Sequence, residues 1–352
     1  MNYQTELDDL ILTLVKEGGS DLHISVGSFP MIRVNRELIP LTRKTELTDQ
    51  DTLGFLRQMI GEKALTKFVV SQETDFSYNH GAEYRLRGNA SFQQGVISIA
   101  LRLIPRVKTL TELGLPEQLL ALSREKQGFF LVVGSVGQGK STTVAAIIAQ
   151  INAESRRHIL TIEDPVEFHF TQDKSLIDQR EVGIDTKNFN TALLQALRQD
   201  VDVVMIGEMR DKDTMATAVT AAETGHLVIA TLHSNSASQT VDRIIDSFPA
   251  DQQNQIRMQL ASSLIGVFSQ HLIPSITGAL VPAYELLLNT GATANLIREK
   301  RTHELDTIIE TGSKDGMIDL DRYLAGLVRD GIIARDVAYN YVRRRGLFDR
   351  LL

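Results

Sequence analysis

Leu7, Leu10, Ile11, Leu14 and Val15 recur at three- and four-residue spacing and are followed by Gly18-Gly19, which predicts a helix stopped by glycine. Strand-like runs follow at 21–26, 31–34, 75–78, 84–90 and 96–104, with Asn79-His80-Gly81 and Gln93-Gln94-Gly95 as turns. In the last run Ile97, Ile99, Leu101 and Leu103 share one face and Arg102 takes the other. Arg85 and Arg87 alternate in the same way with Tyr84 and Leu86. A helical stretch at 49–68 interrupts the strands, so residues 1–104 read as a small α+β domain. Residues 105–116, rich in Thr and Lys between two prolines, read as a linker.

Beyond the linker the periodicity changes. Residues 129–133 form an unbroken apolar run, suited to a strand buried on both faces. Helical segments at 140–151, 188–198 and 213–222 then alternate with strands at 158–162, 201–206 and 227–232. Such alternation predicts a parallel sheet wrapped by helices. After Pro249, the residues Ile256, Leu260, Leu264 and Phe268 form a four-residue stripe that predicts a further helix, and helical segments continue to Leu352. The fold class is therefore α/β, with a small N-terminal α+β domain (1–104), the linker (105–116), a parallel-sheet core (117–285) and a C-terminal helical region (286–352).

Composition narrows the function. The 352 residues are 43% apolar and 23% charged, as in an ordinary globular protein. A net charge of −7 argues against nucleic acid as the main partner. With no cysteine, disulfides and thiolate metal sites are excluded. No apolar run has the length of a membrane span and the N-terminus lacks a signal pattern, so a cytoplasmic protein is expected.

The chemistry centres on Gly134-Ser135-Val136-Gly137-Gln138-Gly139-Lys140-Ser141-Thr142, which fits the P-loop pattern between a predicted strand and helix. Glycines turn consecutive N–H groups toward one point, and the helix N-terminus adds positive potential, so the loop suits the phosphates of a nucleoside triphosphate. Lys140 supplies a charge for the β- and γ-phosphates and Ser141 a hydroxyl for Mg2+. In a parallel sheet, ligands gather at the carboxyl ends of the strands. There Glu163 stands with Asp164 before Pro165, placed to orient Mg2+ through water. Glu208 follows the apolar run ending in Ile206-Gly207, where a hydrolase positions its attacking water; Gly207 stands where many P-loop proteins carry a metal-binding Asp. His226 and His233 bracket the strand 227–232 and read as phosphate sensors rather than zinc ligands. Arg85, Arg87 and Arg102 are candidate arginine fingers across a subunit interface, or otherwise a solvated sheet face. The run Arg343-Arg344-Arg345 reads as a solvated helix end.

These motifs together resemble the secretion ATPases. The P-loop, Ile162-Glu163-Asp164-Pro165-Val166-Glu167-Phe168, Gly207-Glu208 and the run 220–233 carry the likeness. Within that family the chain resembles the PilT group of type IV pilus retraction motors, with the PilU type a near cousin. Gly19-Ser20-Asp21-Leu22-His23, Pro30-Met31-Ile32-Arg33 and Asn295-Leu296-Ile297-Arg298-Glu299 extend it over nearly the full length. The resemblance implies a PAS-like N-terminal domain and a RecA-like core assembled as a homohexamer. ATP would lie between domains, with N-terminal arginines completing the site. It makes Glu208 the catalytic glutamate, puts Glu163 in an acidic box and places His226 and His233 in a histidine box. It further implies a pilus platform protein at the inner face of the cytoplasmic membrane as partner, and for some members a second retraction ATPase. Three departures stand out: Ser135, Val136 and Gln138 where the group has Pro, Thr and Ser; Val201 for a proline; and Thr293-Ala294 for Ile-Arg in the retraction-linked motif at 292–299.

Other readings make different demands. Extension and type II secretion ATPases commonly carry a cysteine-based zinc insert, and this chain has no cysteine. A P-loop small-molecule kinase would need a lid and an acceptor pocket rather than a strand-end glutamate facing water. A GTPase would carry Asn-Lys-x-Asp, which is absent.

Overall fold

The computed structural model describes residues 2–34, 37–81, 84–104 and 106–352. The chain forms two compact units, Met1–Arg106 and Val107–Leu352. In the first, α1 (Tyr3–Lys16) precedes β1 (Asp21–Ser25), β2 (Met31–Val34) and β3 (Glu37–Pro40); α2 (Asp49–Ser71) then leads to β4 (Glu73–His80), β5 (Tyr84–Gln93) and β6 (Val96–Ile104). The six strands form an antiparallel sheet in the order β3-β2-β1-β6-β5-β4. Leu7, Leu10, Ile11 and Leu14 of α1 pack in one core with Phe55 and Phe68 of α2 and with Leu86, Ile99 and Leu101 of the sheet. Thr48 and Asp51 close a reciprocal capping box at the start of α2. β3 is absent from the sequence reading because it is an edge strand with every residue exposed, so no alternation marks it.

The larger unit contains α3 (Gln118–Ser123), β7 (Gly128–Val133), α4 (Lys140–Glu154), β8 (His158–Glu163), β9 (Leu176–Glu181), α5 (Phe189–Ala196), β10 (Val203–Ile206), α6 (Lys212–Glu223) and β11 (Leu227–Leu232). α7 (Ala237–Asp246), α8 (Gln253–Ser263), β12 (Leu264–Pro274) and β13 (Leu280–Leu288) follow, then α9 (Gly291–Arg298), α10 (Leu305–Thr311), α11 (Leu320–Arg329), α12 (Arg335–Tyr339) and α13 (Arg345–Leu351). Its seven-stranded sheet runs β13-β12-β7-β11-β10-β8-β9, parallel except for β13. Apolar cores cover both faces, which is why β7, β10 and β11 are buried at every residue.

Three expectations change. The stripe after Pro249 is not one helix: α8 ends at Ser263, and Leu264 and Phe268 belong to β12. A continuous apolar run suits a doubly covered strand as well as a helix, and here the sheet takes it. Residues 107–116 are no open linker, because Leu110 and Leu115 are buried in the core of the larger unit; Pro105 lies outside the described residues. The expected boundary at 285/286 falls inside β13, whose Leu286 and Leu287 are buried core residues, so the C-terminal helices continue the same compact unit.

Candidate active site

β7 delivers the P-loop to the edge of α4. Gly134 has φ 150°, and a Cβ there would lie 2.5 Å from the backbone oxygen of Gln270; at Gly139, φ 78°, it would lie 2.9 Å from the Gln270 amide nitrogen. Only glycine lets the loop approach β12 so closely. Lys140, the first residue of α4, is 8% exposed. Its Nζ donates to the carbonyls of Gly134 (2.8 Å) and Ser135 (2.9 Å) and lies 3.2 Å from Nδ1 of His233. Burial lowers its pKa against the opposing pull of Glu208 and Glu167. The Ser135 hydroxyl donates to Asn235 Oδ1 at 3.0 Å, and Val136 stands 81% exposed at the mouth of the loop.

Sequence reasoning missed Gln270. Its amide donates to the Gln138 carbonyl at 2.8 Å and accepts the Thr143 hydroxyl at 2.6 Å, while the Gln138 side chain accepts Leu272 N–H at 2.5 Å. Gln138, where relatives of the resembled group have Ser, thus ties the loop to β12. Gln270→Ala would strand the buried Thr143 hydroxyl and is expected to cost about 1–3 kcal/mol of stability, read as a lowered Tm.

At the carboxyl ends of β11 and β10, His233 Nε2 lies 3.0 Å from Glu208 Oε1. The lysine ammonium can only donate, so His233 Nδ1 accepts from Lys140 and Nε2–H donates to Glu208. Arg210 holds the other Glu208 oxygen at 2.8–2.9 Å. Burial alone would raise the Glu208 pKa, but the Arg210 bond and the surrounding positive charge outweigh it and hold the carboxyl below its usual range. Lys140, His233, Glu208 and Arg210 therefore form one continuous polar line beside the phosphate loop.

Glu163 ends β8 and is 5% exposed. Oε1 accepts from Thr161 Oγ1 (2.6 Å) and Gln179 Nε2 (3.3 Å), and Oε2 from Glu167 N–H (3.3 Å). Burial nevertheless pushes its pKa above the ordinary 4.5. Ionising it therefore costs folding free energy, a cost absent below the unfolded-state pKa, growing between the two pKa values and constant above the folded one. Glu163→Gln keeps both donors to Oε1 and loses the long bond from Glu167. It should raise Tm at pH 8, with the gain shrinking toward pH 4, while hydrolysis falls. An unchanged or lower Tm at pH 8 would refute this.

Glu163, Glu208, His233, Lys140 and Ser141 all line one cavity of about 180 Å3. Among the described residues no group of three or more His, Cys, Asp or Glu could cage a metal. The donor set of a hydroxyl and nearby carboxylates instead fits Mg2+, which keeps most of its shell in phosphate oxygens and water. At Gly207 a Cβ would lie 3.2 Å from the Ile162 carbonyl oxygen, a tight approach, and 3.4 Å from Glu163 Cα, an ordinary contact.

The two histidines separate. His226 sits at the start of β11, where its carbonyl accepts Gly128 N–H and its ring contacts the Ala221 carbonyl at 3.1 Å. Six strand residues lie between it and His233, roughly 20 Å. The expectation that both stand beside the phosphate loop is corrected: of the two, only His233 lines the cavity with Lys140. Arg85, Arg87 and Arg102 belong to the first unit. Arg102 pairs with Asp21 at 2.9 Å and stands across from the exposed Arg87; Arg85 donates to Ser77 at 3.3 Å.

The type II/IV secretion system protein family matches residues 85–305. The type IV pilus retraction ATPase PilT of Pseudomonas aeruginosa is 42% identical over 95% of this chain and 97% of that protein. The type IV pilus ATPase PilU of the same organism is 40% identical over 95% and 87%. A crystal structure of the pilus retraction motor PilT with bound ADP superposes with a TM-score of 0.87 at 39% identity, covering 97% of this chain and 98% of that one. An intact phosphate loop with His233 and Glu208 beside it, and full-length likeness in sequence and fold, place this chain in the type II/IV secretion system protein family, among its PilT-type ATPases.

Proposed function

We propose that the chain is the subunit of a homohexameric motor that hydrolyses ATP to retract type IV pili, acting on a platform protein at the cytoplasmic face of the inner membrane. The observation that carries the hydrolytic part is the Lys140–His233–Glu208 line, with spacings of 3.2 and 3.0 Å, at the ends of neighbouring parallel strands. Lys140 and the loop N–H groups hold the β- and γ-phosphates. Glu208, ionised, accepts a proton from the attacking water, and His233 orients it while sensing the γ-phosphate. Mg2+, bound through the Ser141 hydroxyl with Glu163 ordering its water, would neutralise phosphate charge. Arg85, Arg87 and Arg102 are proposed as arginine fingers across a subunit interface.

The likeness to PilT supports the retraction reading, while the retraction-linked motif is intact only in its second half. Its two changed positions, Thr293 and Ala294, are buried, and the Thr293 hydroxyl donates to the Leu288 carbonyl at 3.0 Å. Ala292, Asn295, Arg298 and Glu299 of the motif are exposed. The identity to PilU keeps an accessory motor, working beside a second retraction ATPase, as the alternative. Complementation of a pilus-retraction mutant tests it: restored twitching by this chain alone supports the motor, and restoration only with a second ATPase supports the accessory role.

A further inference from the structure

Arg343 and Arg344, expected at a solvated helix end, are instead held by acidic side chains. Arg344 donates to Glu310, Asp319 and Asp321, and Asp321, 1% exposed, also accepts the backbone N–H groups of Arg343 (2.9 Å) and Arg344 (3.0 Å). That pins residues 343–344 to the start of α11. Arg343 reaches the other way. Nη1 donates to Glu285 Oε2 on β13 at 2.5 Å, and Nη2 to the backbone oxygen of Asn235 at 2.9 Å. Glu285 is 2% exposed, and its second oxygen accepts the N–H of Ala237, the first residue of α7, at 2.9 Å. One buried carboxylate therefore holds the start of the helix that follows His233 and the arginine that grips the intervening loop.

That loop borders the phosphates. Asn235 lies two residues beyond His233, and its Oδ1 accepts the Ser135 hydroxyl at 3.0 Å; the Ser135 carbonyl in turn accepts Lys140 Nζ at 2.9 Å. Arg243 of α7 holds the His233 carbonyl from the far side. The bonds run without a break from Arg343 through Asn235 and Ser135 to Lys140. We propose that Arg343 is a positioning residue for ATP hydrolysis, setting the 233–236 loop so that His233 and the Ser135 end of the P-loop face the γ-phosphate. The C-terminal segment then belongs to the catalytic unit. An ion pair with Glu285 alone would be structural; the second bond, to the loop backbone, is the one that acts on the site. Ser135 makes the link in this chain, since the proline of the resembled group has no hydroxyl to donate. The inference rests on the roles given above to Lys140 and His233.

The test is steady-state ATP hydrolysis by the full chain with Arg343→Ala, Arg343→Lys, Ser135→Ala, the double variant Ser135→Ala/Arg343→Ala, and Arg335→Ala. Arg335 is the control: it pairs with Asp349 at 2.8 Å and with Tyr339, within the same C-terminal helices. Arg343→Ala should lower kcat on the order of tenfold to a hundredfold with KM changed by less than about threefold, because the phosphate cradle itself is kept. Arg343→Lys retains a charge opposite Glu285, and so the fold, but a single ammonium does not span both acceptors as the planar fork does. Its kcat should stay depressed at unchanged Tm, which keeps the test sound should Arg343→Ala fail to fold. Ser135→Ala/Arg343→Ala should lose less than the product of the single effects, as expected for linked residues. Wild-type kcat in Arg343→Lys, an equal loss in Arg335→Ala, or multiplicative single effects would each overturn the proposal. Lys140→Ala in the same assay separates the two layers, since turnover surviving that change would sink the site reading whatever Arg343 does.

Discussion

Lys140→Ala is expected to abolish ATP hydrolysis and to weaken nucleotide binding by about two to three orders of magnitude. Charge-assisted hydrogen bonds contribute about 1.5–3 kcal/mol each, and this ammonium is placed to make two or more to phosphate oxygens. It now rests on the Gly134 and Ser135 carbonyls, at the foot of the cavity, so its position is set before any nucleotide arrives. Because the Gly134 carbonyl it leaves is buried, the Tm of the variant is read alongside to confirm that it remains folded. Titration of a fluorescent ATP analogue against wild type and variant measures the effect. Equal affinity would mean that Lys140 does not hold the phosphates.

Glu208→Ala is expected to split binding from chemistry. ATP should still bind, since the phosphate loop is untouched, while turnover falls about a hundredfold to ten-thousandfold, the range for loss of a positioned general base. The carboxyl is held ionised by Arg210 and the neighbouring positive charge, as a base working near neutral pH requires. Its contact with His233 at 3.0 Å carries the loss further, because the imidazole loses the group that fixes its Nε2–H. Rapid-quench assays of one turnover with pre-bound ATP read this step directly. Normal single-turnover hydrolysis would remove Glu208 from the chemistry.

Much of this was legible in the sequence where a local pattern and a physical need coincide. The P-loop at 134–142 and the apolar strand before it place the phosphates, and the residues just past β8, β10 and β11 follow from the rule that ligands sit at the carboxyl ends of parallel strands. The same rule would have excluded His226, since a six-residue strand has one carboxyl end and His226 stands at the other. Elements escaped where the pattern carries no period. β3 is exposed throughout, β9 is an edge strand, and β12 is apolar on both faces and mimics the continuation of α8. The polar clamps were invisible for another reason. Gln270 meets Gln138 across 132 residues, and Arg343 meets Glu285 across 58 and Asn235 across 108. No spacing rule links residues that far apart, and an arginine run near a helix start reads as solvated until a buried carboxylate is found to face it.

The decisive experiment is Mg2+-dependent ATP hydrolysis by the purified chain, with its mass measured in the same buffer and Glu208→Ala run in parallel. A hexameric ATPase that turns over without an added phosphate acceptor, and whose variant retains ATP uncleaved, is the expected result. A wild-type protein that transfers the γ-phosphate only to an added acceptor, or a Glu208→Ala variant as active as wild type, would mean that the site does not do what its geometry is proposed here to do.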